Sequence, residues 1–565
     1  MAPAAGRKRK QPHDDEPAAT AAPAKRQQKT PSTKPPAPVP ARRGGRKRDS
    51  LTSSSSSSSS ASSSVSAKGS IKADSVLTTI TEPDSQPIED TQVDVDPEEK
   101  KEAATTNGTK HEPAAPKPYK LRKVTKEITP IPALKSVPLN VYVFGTGSMA
   151  ELGLGPEAKT KEVKRPRLNP FLPIDSVSIV DFAVGGAHVL ALDKDGKIWS
   201  WGCNDHGTLG RNTSQGEEGL LRDMDAEDDD DDDGDLNPLE STPAKVTGLP
   251  DDLVFVQVAA SDSLSLALTS EGRVWAWGTF RHNEGILGFN EDVMFQREPV
   301  QVRIEFPVSQ IAAGKDHVMA LTTNGKVYTW GNGQQFQLGH RVLDRYQKQA
   351  LQPREIGIRN IKYIGSGEFH SFAIDTQGRV LAWGLNQFGQ CGIPSEGAGE
   401  DGAVVTEPTY INAFDGKNII SITAGEHHSV ALSAENDMYT FGRIDSSEIG
   451  IEKDELPDTA VKDDSGRPRF LPVPTKVALE NEDGKVKYIA CGSHHNIALA
   501  SSDGSAWTWG FGETYQCGQG PAGEDVEIPT KIENTATQGV NMLLAGAGGQ
   551  FSVIGGLKTE AKEEK

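Results

Sequence analysis

The sequence predicts an all-β fold, a seven-bladed β-propeller closed by its own two ends, and three observations carry that expectation. First, a phrase ending in an aromatic residue and a glycine returns seven times. Its closing glycines, Gly145, Gly202, Gly278, Gly331, Gly384, Gly442 and Gly510, stand 53 to 76 residues apart. A period of this size belongs to repeat arrays in which each unit buries its apolar face on its neighbours. Second, the segments inside each unit (HVLAL, KIWSW, RVWAW, KVYTW) are short, β-branched and aromatic, and are bounded by Asp-Gly, Glu-Gly or Asn-Gly turns. Those are hairpin signals rather than signals of paired helices. Third, the first and last copies are complementary halves. Residues 141–155 (VYVFGTGSMAELGLG) hold the closing half of the phrase, and 540–556 (VNMLLAGAGGQFSVIGG) the opening half. Joined, they make one whole blade, and closure removes the strand edges that an open array exposes.

Taken in order, the repeats span about 139–177, 178–250, 251–306, 307–360, 361–417, 418–484 and 485–538, and the closing strands lie in 539–557. The propeller therefore occupies 139–557, followed by a short tail, 558–565. A unit of this length accommodates four strands of about five residues with their turns. Before it, residues 1–138 show no periodic apolar pattern and hold a serine run at 53–60 with many Pro and Ala residues, so this stretch is expected to be a disordered tail.

Charge divides the chain. Of 60 Lys/Arg and 79 Asp/Glu in all, residues 1–50 hold 13 and 4, which leaves the remainder with 47 against 75, a basic arm on an acidic body. Within the arm, Arg7-Lys8-Arg9-Lys10, Lys25-Arg26 and Arg42-Arg43…Arg46-Lys47-Arg48 form compact clusters suited to nuclear import, with importin as reader, and to DNA phosphates. No segment has the apolar length of a membrane span, so no membrane partner is expected. The four cysteines, Cys203, Cys391, Cys491 and Cys517, show no Cys-x-x-Cys spacing and suit a reducing compartment.

What the repeats share is architecture, and what they do not share is where function can sit. His188, His317, His370, His428 and His495 occupy one register, three residues after a glycine, and are expected to make hydrogen bonds between blades. The Trp pairs (Trp199 and Trp201, Trp275 and Trp277, Trp507 and Trp509) alternate at strand period and are expected in the core. The two residues between glycine and histidine vary, and they should crowd one mouth of the ring. They include Asp262, Lys315-Asp316, Glu368-Phe369, Glu426-His427 and Ser493-His494. No nucleophile–base pairing stands out, so neither covalent catalysis, nor a metal, nor a cofactor is expected.

One spacing breaks the pattern. From the closing glycine to the next Leu-Gly, Ile-Gly or Cys-Gly, six copies keep eight residues, whereas the third, Gly278 to Gly288, takes ten. Two extra residues in a tight turn must protrude, and the surplus, Phe280-Arg281-His282-Asn283-Glu284, is polar at its tip. Two more insertions are charged: 223–235, with aspartates at 228–233, is expected to self-repel and be disordered, and 156–170 is basic.

The phrase G-x-x-H-x-x-A-L…G-x-V-W-x-W-G-x-N-x-x-G-x-L-G resembles the repeat of the regulator of chromosome condensation family, over 139–557. That resemblance implies a chromatin-bound, nuclear guanine-nucleotide exchange factor for the small GTPase Ran, serving nucleocytoplasmic transport and mitosis by binding rather than covalent chemistry. The alternative is a scaffold of the same family that binds chromatin without exchange. The resemblance implies that the Thr279–Gly288 segment, with Phe280, Arg281, His282, Asn283, Glu284 and Gly285 as its contact residues, is the family's wedge, inserted into the GTPase, and that Asp262, Asp316 and His427 are its exchange residues. It also implies that Arg341 and Arg345, in the 340–354 loop, contact histones on the nucleosome. An acid of the family's first copy is Ser148 here, and Leu264 replaces the repeat histidine in the wedge blade.

Overall fold

The structure, a computed structural model, describes residues 120–214, 235–394 and 403–558. The serine run, the basic clusters of the arm, the aspartates at 228–233 and the last residues of the chain all lie outside them. The described residues form seven antiparallel sheets of four or five strands. The first strand of each sheet lies against the first strand of the next, around a common axis.

Blade 1 is the composite one. Asn140–Thr146 and Glu162–Leu168 are completed by Val540–Ala547 and Phe551–Lys558 from the far end of the chain. The two ends pair antiparallel from Asn140 opposite Gly556 to Gly145 opposite Phe551. Blades 2 to 7 begin with Ile179–Val184, Phe255–Ala260, Val308–Ala313, Ile361–Ser366, Ile419–Ala424 and Val486–Cys491. Each continues through a strand that opens on the repeat's histidine register, such as His188–Asp193 in blade 2.

That second strand is buried on both faces in all of blades 2 to 7. Period-2 alternation therefore fades there, and the segments read as continuous apolar runs. The blades are joined by a recurrent polar latch. His188 Nε2 lies 2.8 Å from Ser265 Oγ of the next blade, and Ser265 donates onward to the Thr208 carbonyl at 2.7 Å. The same carbonyl accepts the Trp277 indole N–H at 2.7 Å. His317 with Ser371, His370 with Ser429, His428 with Asn496, and His495 with Ser552 repeat the contact, each at 2.8 Å. All five histidines are fully buried, and burial holds their pKa values well below the usual imidazole range. They are neutral architectural groups, as their repetition predicts.

Two junctions depart from this scheme. Between blades 1 and 2, Phe551 and Val189 fill the histidine and hydroxyl registers within one apolar cluster. Between blades 3 and 4 the same two registers are again apolar, filled by Leu264 and Val318, and both belong to one cluster with Phe280 and Trp330. Outside blade 3 the Leu-Gly or Ile-Gly glycine lies under an aromatic ring of the following blade, as Gly153 under Trp201 and Gly450 under Trp509, where a side chain would clash. Gly288 of blade 3 meets only backbone of 290–294.

The folded part also begins earlier than the sequence predicts. Residues 120–138, assigned above to the tail, run against the ring. The Ile128 N–H donates to the Thr323 carbonyl at 2.7 Å and the Arg122 N–H to the Glu305 carbonyl at 2.8 Å. Ile131 and Leu134 pack on the blade 3–4 cluster. A few apolar residues spread over a Pro-rich extended segment carry no period, so nothing in the pattern announced their docking.

Candidate functional site

The variable pairs between glycine and histidine stand at one mouth of the ring, and backbone hydrogen bonds link them from blade to blade. The Asp262 N–H donates to the Lys315 carbonyl at 3.4 Å, Lys315 to Glu368 at 3.1 Å, and Glu368 to Gly425 at 3.0 Å. Glu426 donates to Ser493 at 3.0 Å, Ser493 to Gly548 at 3.2 Å, and Gly549 to Gly186 at 3.1 Å. The last of these crosses the seam between the chain's two ends. Residues 53 to 67 positions apart in sequence, and residues from the two ends of the ring at the last bond, are thereby held side by side as neighbours in an arc.

One half of the arc is built on Lys315. Its Nζ lies 2.9 Å from Glu368 Oε2 and 3.7 Å from Asp262 Oδ2, and it sits over the Phe369 ring at 5.4 Å. Burial opposes its charge, but the Glu368 and Asp262 carboxylates hold the ammonium above its usual range. The Asp262 side chain keeps 32% of its surface exposed at the mouth. Surrounding protein, then the Glu368 and Asp316 carboxylates, hold its pKa above the usual carboxylate range, against Lys315 and Arg281. Gly186 of blade 2 makes room for it, since a Cβ there would stand 2.3 Å from Asp262 Oδ1.

Asp316 has a different geometry. Its Oδ1 accepts the Arg281 backbone N–H at 3.1 Å, so it ties the long turn of blade 3 to blade 4. Burial raises its carboxyl to about 6, against the favourable hydrogen bond and charge of Arg281. The turn is a small hairpin, Phe280–His282 with Gly285–Gly288, carrying a bulge at its base. A second tie runs from the Asn283 N–H to Gln334 Oε1 at 3.2 Å. Gly285, at φ +129° with open space around it, lets the tip turn. Arg281, Asn283 and Glu284 are exposed. Phe280, counted above among the residues that meet a partner, is 1% exposed. Its ring fills the blade 3–4 cluster against Gly331, where burial of apolar area is favourable, so it roots the hairpin and is not available for contact. His282 is half-buried under the tip and accepts the Glu284 N–H at 3.1 Å.

The other half of the arc is an acid between two imidazoles. Glu426 Oε2 lies 3.5 Å from His427 Nδ1 and 3.1 Å from His494 Nε2. Burial works against its charge, but the two histidines hold the carboxyl well below its usual range. Glu426 in turn raises His494. His427 is also packed edge-on against Phe388 at 4.9 Å. Behind them, fully buried Glu448 places Oε1 3.9 Å from both His494 Nδ1 and Arg443 Nε.

The structure thus brings Asp262, Asp316 and the hairpin together, and places His427 two blades further along the same mouth. Ser148 is exposed in the closing turn of blade 1. Arg341 and Arg345 are exposed in a separate segment, the loop after the third strand of blade 4, with the Arg345 guanidinium over the Tyr346 ring at 4.8 Å. Sequence reasoning missed the bridging of Lys315, the ties through Gln334 and Asp316, and the buried Glu448. A signal for Lys315 was present, for it is the lone Lys or Arg among the variable pairs.

Residues 140–554 match the family described as RCC1-like domain. The chain is 54% identical over 430 residues to a guanine nucleotide exchange factor, SRM1, of Saccharomyces cerevisiae, covering 74% of this chain and 88% of that protein. It superposes with a TM-score of 0.70 on the crystal structure of Prp20p from Saccharomyces cerevisiae, described with its binding properties to Gsp1p and histones. Identity there is 50%, over 76% of this chain and 94% of that one. A yeast RCC1 (Prp20) bound to Kap60 superposes with a TM-score of 0.71 at 48% identity, covering 81% and 98%.

Proposed function

The chain belongs to the RCC1-like domain family, and we propose from that premise that it is a guanine-nucleotide exchange factor for a Ran-type GTPase, acting on chromatin in the nucleus. The observation that carries this reading is the hairpin of blade 3. It is two residues longer than its six counterparts, it is rooted by buried Phe280, and Asp316 and Gln334 hold it beside a charged mouth.

Such a GTPase holds its nucleotide through a phosphate loop and Mg²⁺. A protein that prefers the nucleotide-free form weakens nucleotide binding by the factor by which nucleotide weakens its own binding. The exposed tip, Arg281, Asn283 and Glu284, is the part that reaches the phosphate loop. Asp262 and His427 contact the GTPase from the mouth on either side of the arc, and Asp316 acts by fixing the hairpin's angle. Incoming nucleotide then expels the factor, and the cellular nucleotide supply sets direction. The chemistry is exchange of a bound ligand, with no covalent intermediate.

Partner contacts follow the same division. Prp20p binds histones and the yeast RCC1 has been captured on Kap60. Here Arg341 and Arg345 supply guanidinium groups that suit an acidic histone surface. The clusters Arg7-Lys8-Arg9-Lys10 and Lys25-Arg26 supply the importin address and DNA phosphate contacts. The deciding experiment is release of a fluorescent guanine nucleotide from a Ran-type GTPase, with and without the full chain. Catalysed release supports exchange; unchanged release with intact nucleosome binding leaves a scaffold.

A further inference from the structure

We propose that Lys315 is a positioning residue for exchange: by bridging Glu368 and Asp262 it keeps the Asp262 carboxylate ionised and in register at the mouth. The inference rests on the exchange reading of this site. Its geometry is that of a single cation serving carboxylates of three successive blades. Lys315 Nζ is 2.9 Å from Glu368 and 3.7 Å from Asp262, while Asp316 is its chain neighbour. The ammonium is pinned from below by the Phe369 ring at 5.4 Å, and the backbone is pinned on both sides by the link-to-link hydrogen bonds of the arc. A lysine on a free stem samples many rotamers, whereas one fixed at its backbone, its ring contact and its ion pair holds a defined position.

The groups facing Asp262 explain why that position matters. From blade 4 come Lys315 and Asp316, from blade 5 Glu368, and from the hairpin Arg281. Blade 2 contributes Gly186 and Ala187, which carry no charge. Without Lys315 two carboxylates would press on a third with Arg281 as the remaining cation. Like charges at such range favour protonation of one of them. A neutral Asp262 would then lose its charge-assisted contact to a partner, and its new O–H would donate to neighbouring acceptors instead.

The test is the pH profile of catalysed nucleotide release, as kcat/KM from about pH 6 to 8.5, for the full chain and three variants, with the thermal midpoint of each as a control. In the wild-type chain release rises with pH as Asp262 ionises. Lys315→Met is expected to move that rising limb upward by at least about half a pH unit, with a three- to tenfold loss at pH 7 that is recovered at higher pH. Lys315→Arg should restore the wild-type profile. Glu368→Gln should shift the limb the opposite way, since it removes a repelling carboxylate and leaves Lys315 to Asp262 alone. This last variant keeps the inference exposed even if Lys315→Met folds poorly. A merely structural lysine would lower activity equally at every pH, or lower the midpoint with an unmoved limb, and either result overturns the inference. If the wild-type chain leaves nucleotide release unchanged, the exchange reading falls and this inference with it. If the wild type is active and the Lys315→Met and Glu368→Gln limbs superimpose on it, the inference alone falls.

Discussion

Glu448 stands where three other blades place glutamine, and the difference has a thermodynamic consequence. Gln337, Gln390 and Gln516 are fully buried and accept the N–H two residues earlier, at 2.8, 2.8 and 3.1 Å. Glu448 does the same with the Ser446 N–H at 2.9 Å, yet it brings an ionisable group into the interior, and burial raises it to about 7. Such a carboxyl stays protonated in the folded chain while it ionises in the unfolded one. Stability is therefore lost as pH climbs from the unfolded value, about 4.3, to the folded one. Glu448→Gln should be nearly neutral at pH 4.5 and stabilising by about 1–3 kcal/mol at pH 8, read as a gap in unfolding midpoint that widens with pH. A gap that does not change with pH would refute the assignment. His188→Ala makes the complementary case for a shared residue. It breaks the latch to Ser265 and opens a cavity, which should cost about 2 kcal/mol or more. Release by the folded fraction should stay near the wild-type rate. The sequence marks both residues: repetition made the histidines legible as structure, and a glutamate in a glutamine register is visible once the copies are aligned. The titration of Glu448 was not visible, because it depends on burial.

At the scale of elements, the hairpin of blade 3 and the segment 120–138 show opposite degrees of legibility. The hairpin was readable by counting, since ten residues cannot follow the path of eight. Deleting Asn283 and Glu284 restores the eight-residue spacing while keeping buried Phe280 and Leu287. Catalysed release is expected to fall at least about a hundredfold, since misplacing a reacting contact by an ångström alone costs that much. The melting midpoint should barely move, because the deleted tip is exposed. Loss of stability in place of activity would mean that the hairpin is architecture. The Phe280 side chain, by contrast, could be sorted into root rather than tip only in three dimensions, since an aromatic at the edge of a loop reads equally as anchor or contact. Segment 120–138 was not readable at all. A chain beginning at residue 139 should melt several degrees lower than one beginning at 120, because it exposes apolar surface where Ile131 and Leu134 pack. Equal midpoints would show that the strap adds nothing.

For the whole molecule the decisive contact is the seam. Blade 1 holds two strands from each end of the chain, and the backbone bond from Gly549 to Gly186 carries the arc of the mouth across the join. Removing 540–565 leaves Asn140–Thr146 and Glu162–Leu168 without an inner pair, exposing strand edges and the apolar faces of two neighbouring blades. Aggregation, or a large fall in thermal midpoint, is the expected outcome, and unchanged melting would mean that closure is not needed. Read along the chain alone, the residues are enough for the repeat, its count, the closure of its ends, the structural role of its histidines and the blade whose turn is longer than the rest. These are matters of spacing and of residue type at fixed registers, and spacing is a property of the chain. Which charges meet emerges in three dimensions: Lys315 serves both Asp262 and Glu368, Asp316 holds the hairpin, and Glu426 sits between two histidines. Apart from the pairing of Glu426 with its neighbour His427, those contacts join residues of different blades. The Coulomb and desolvation energies that govern them depend on distances and burial, which exist only once the ring has closed.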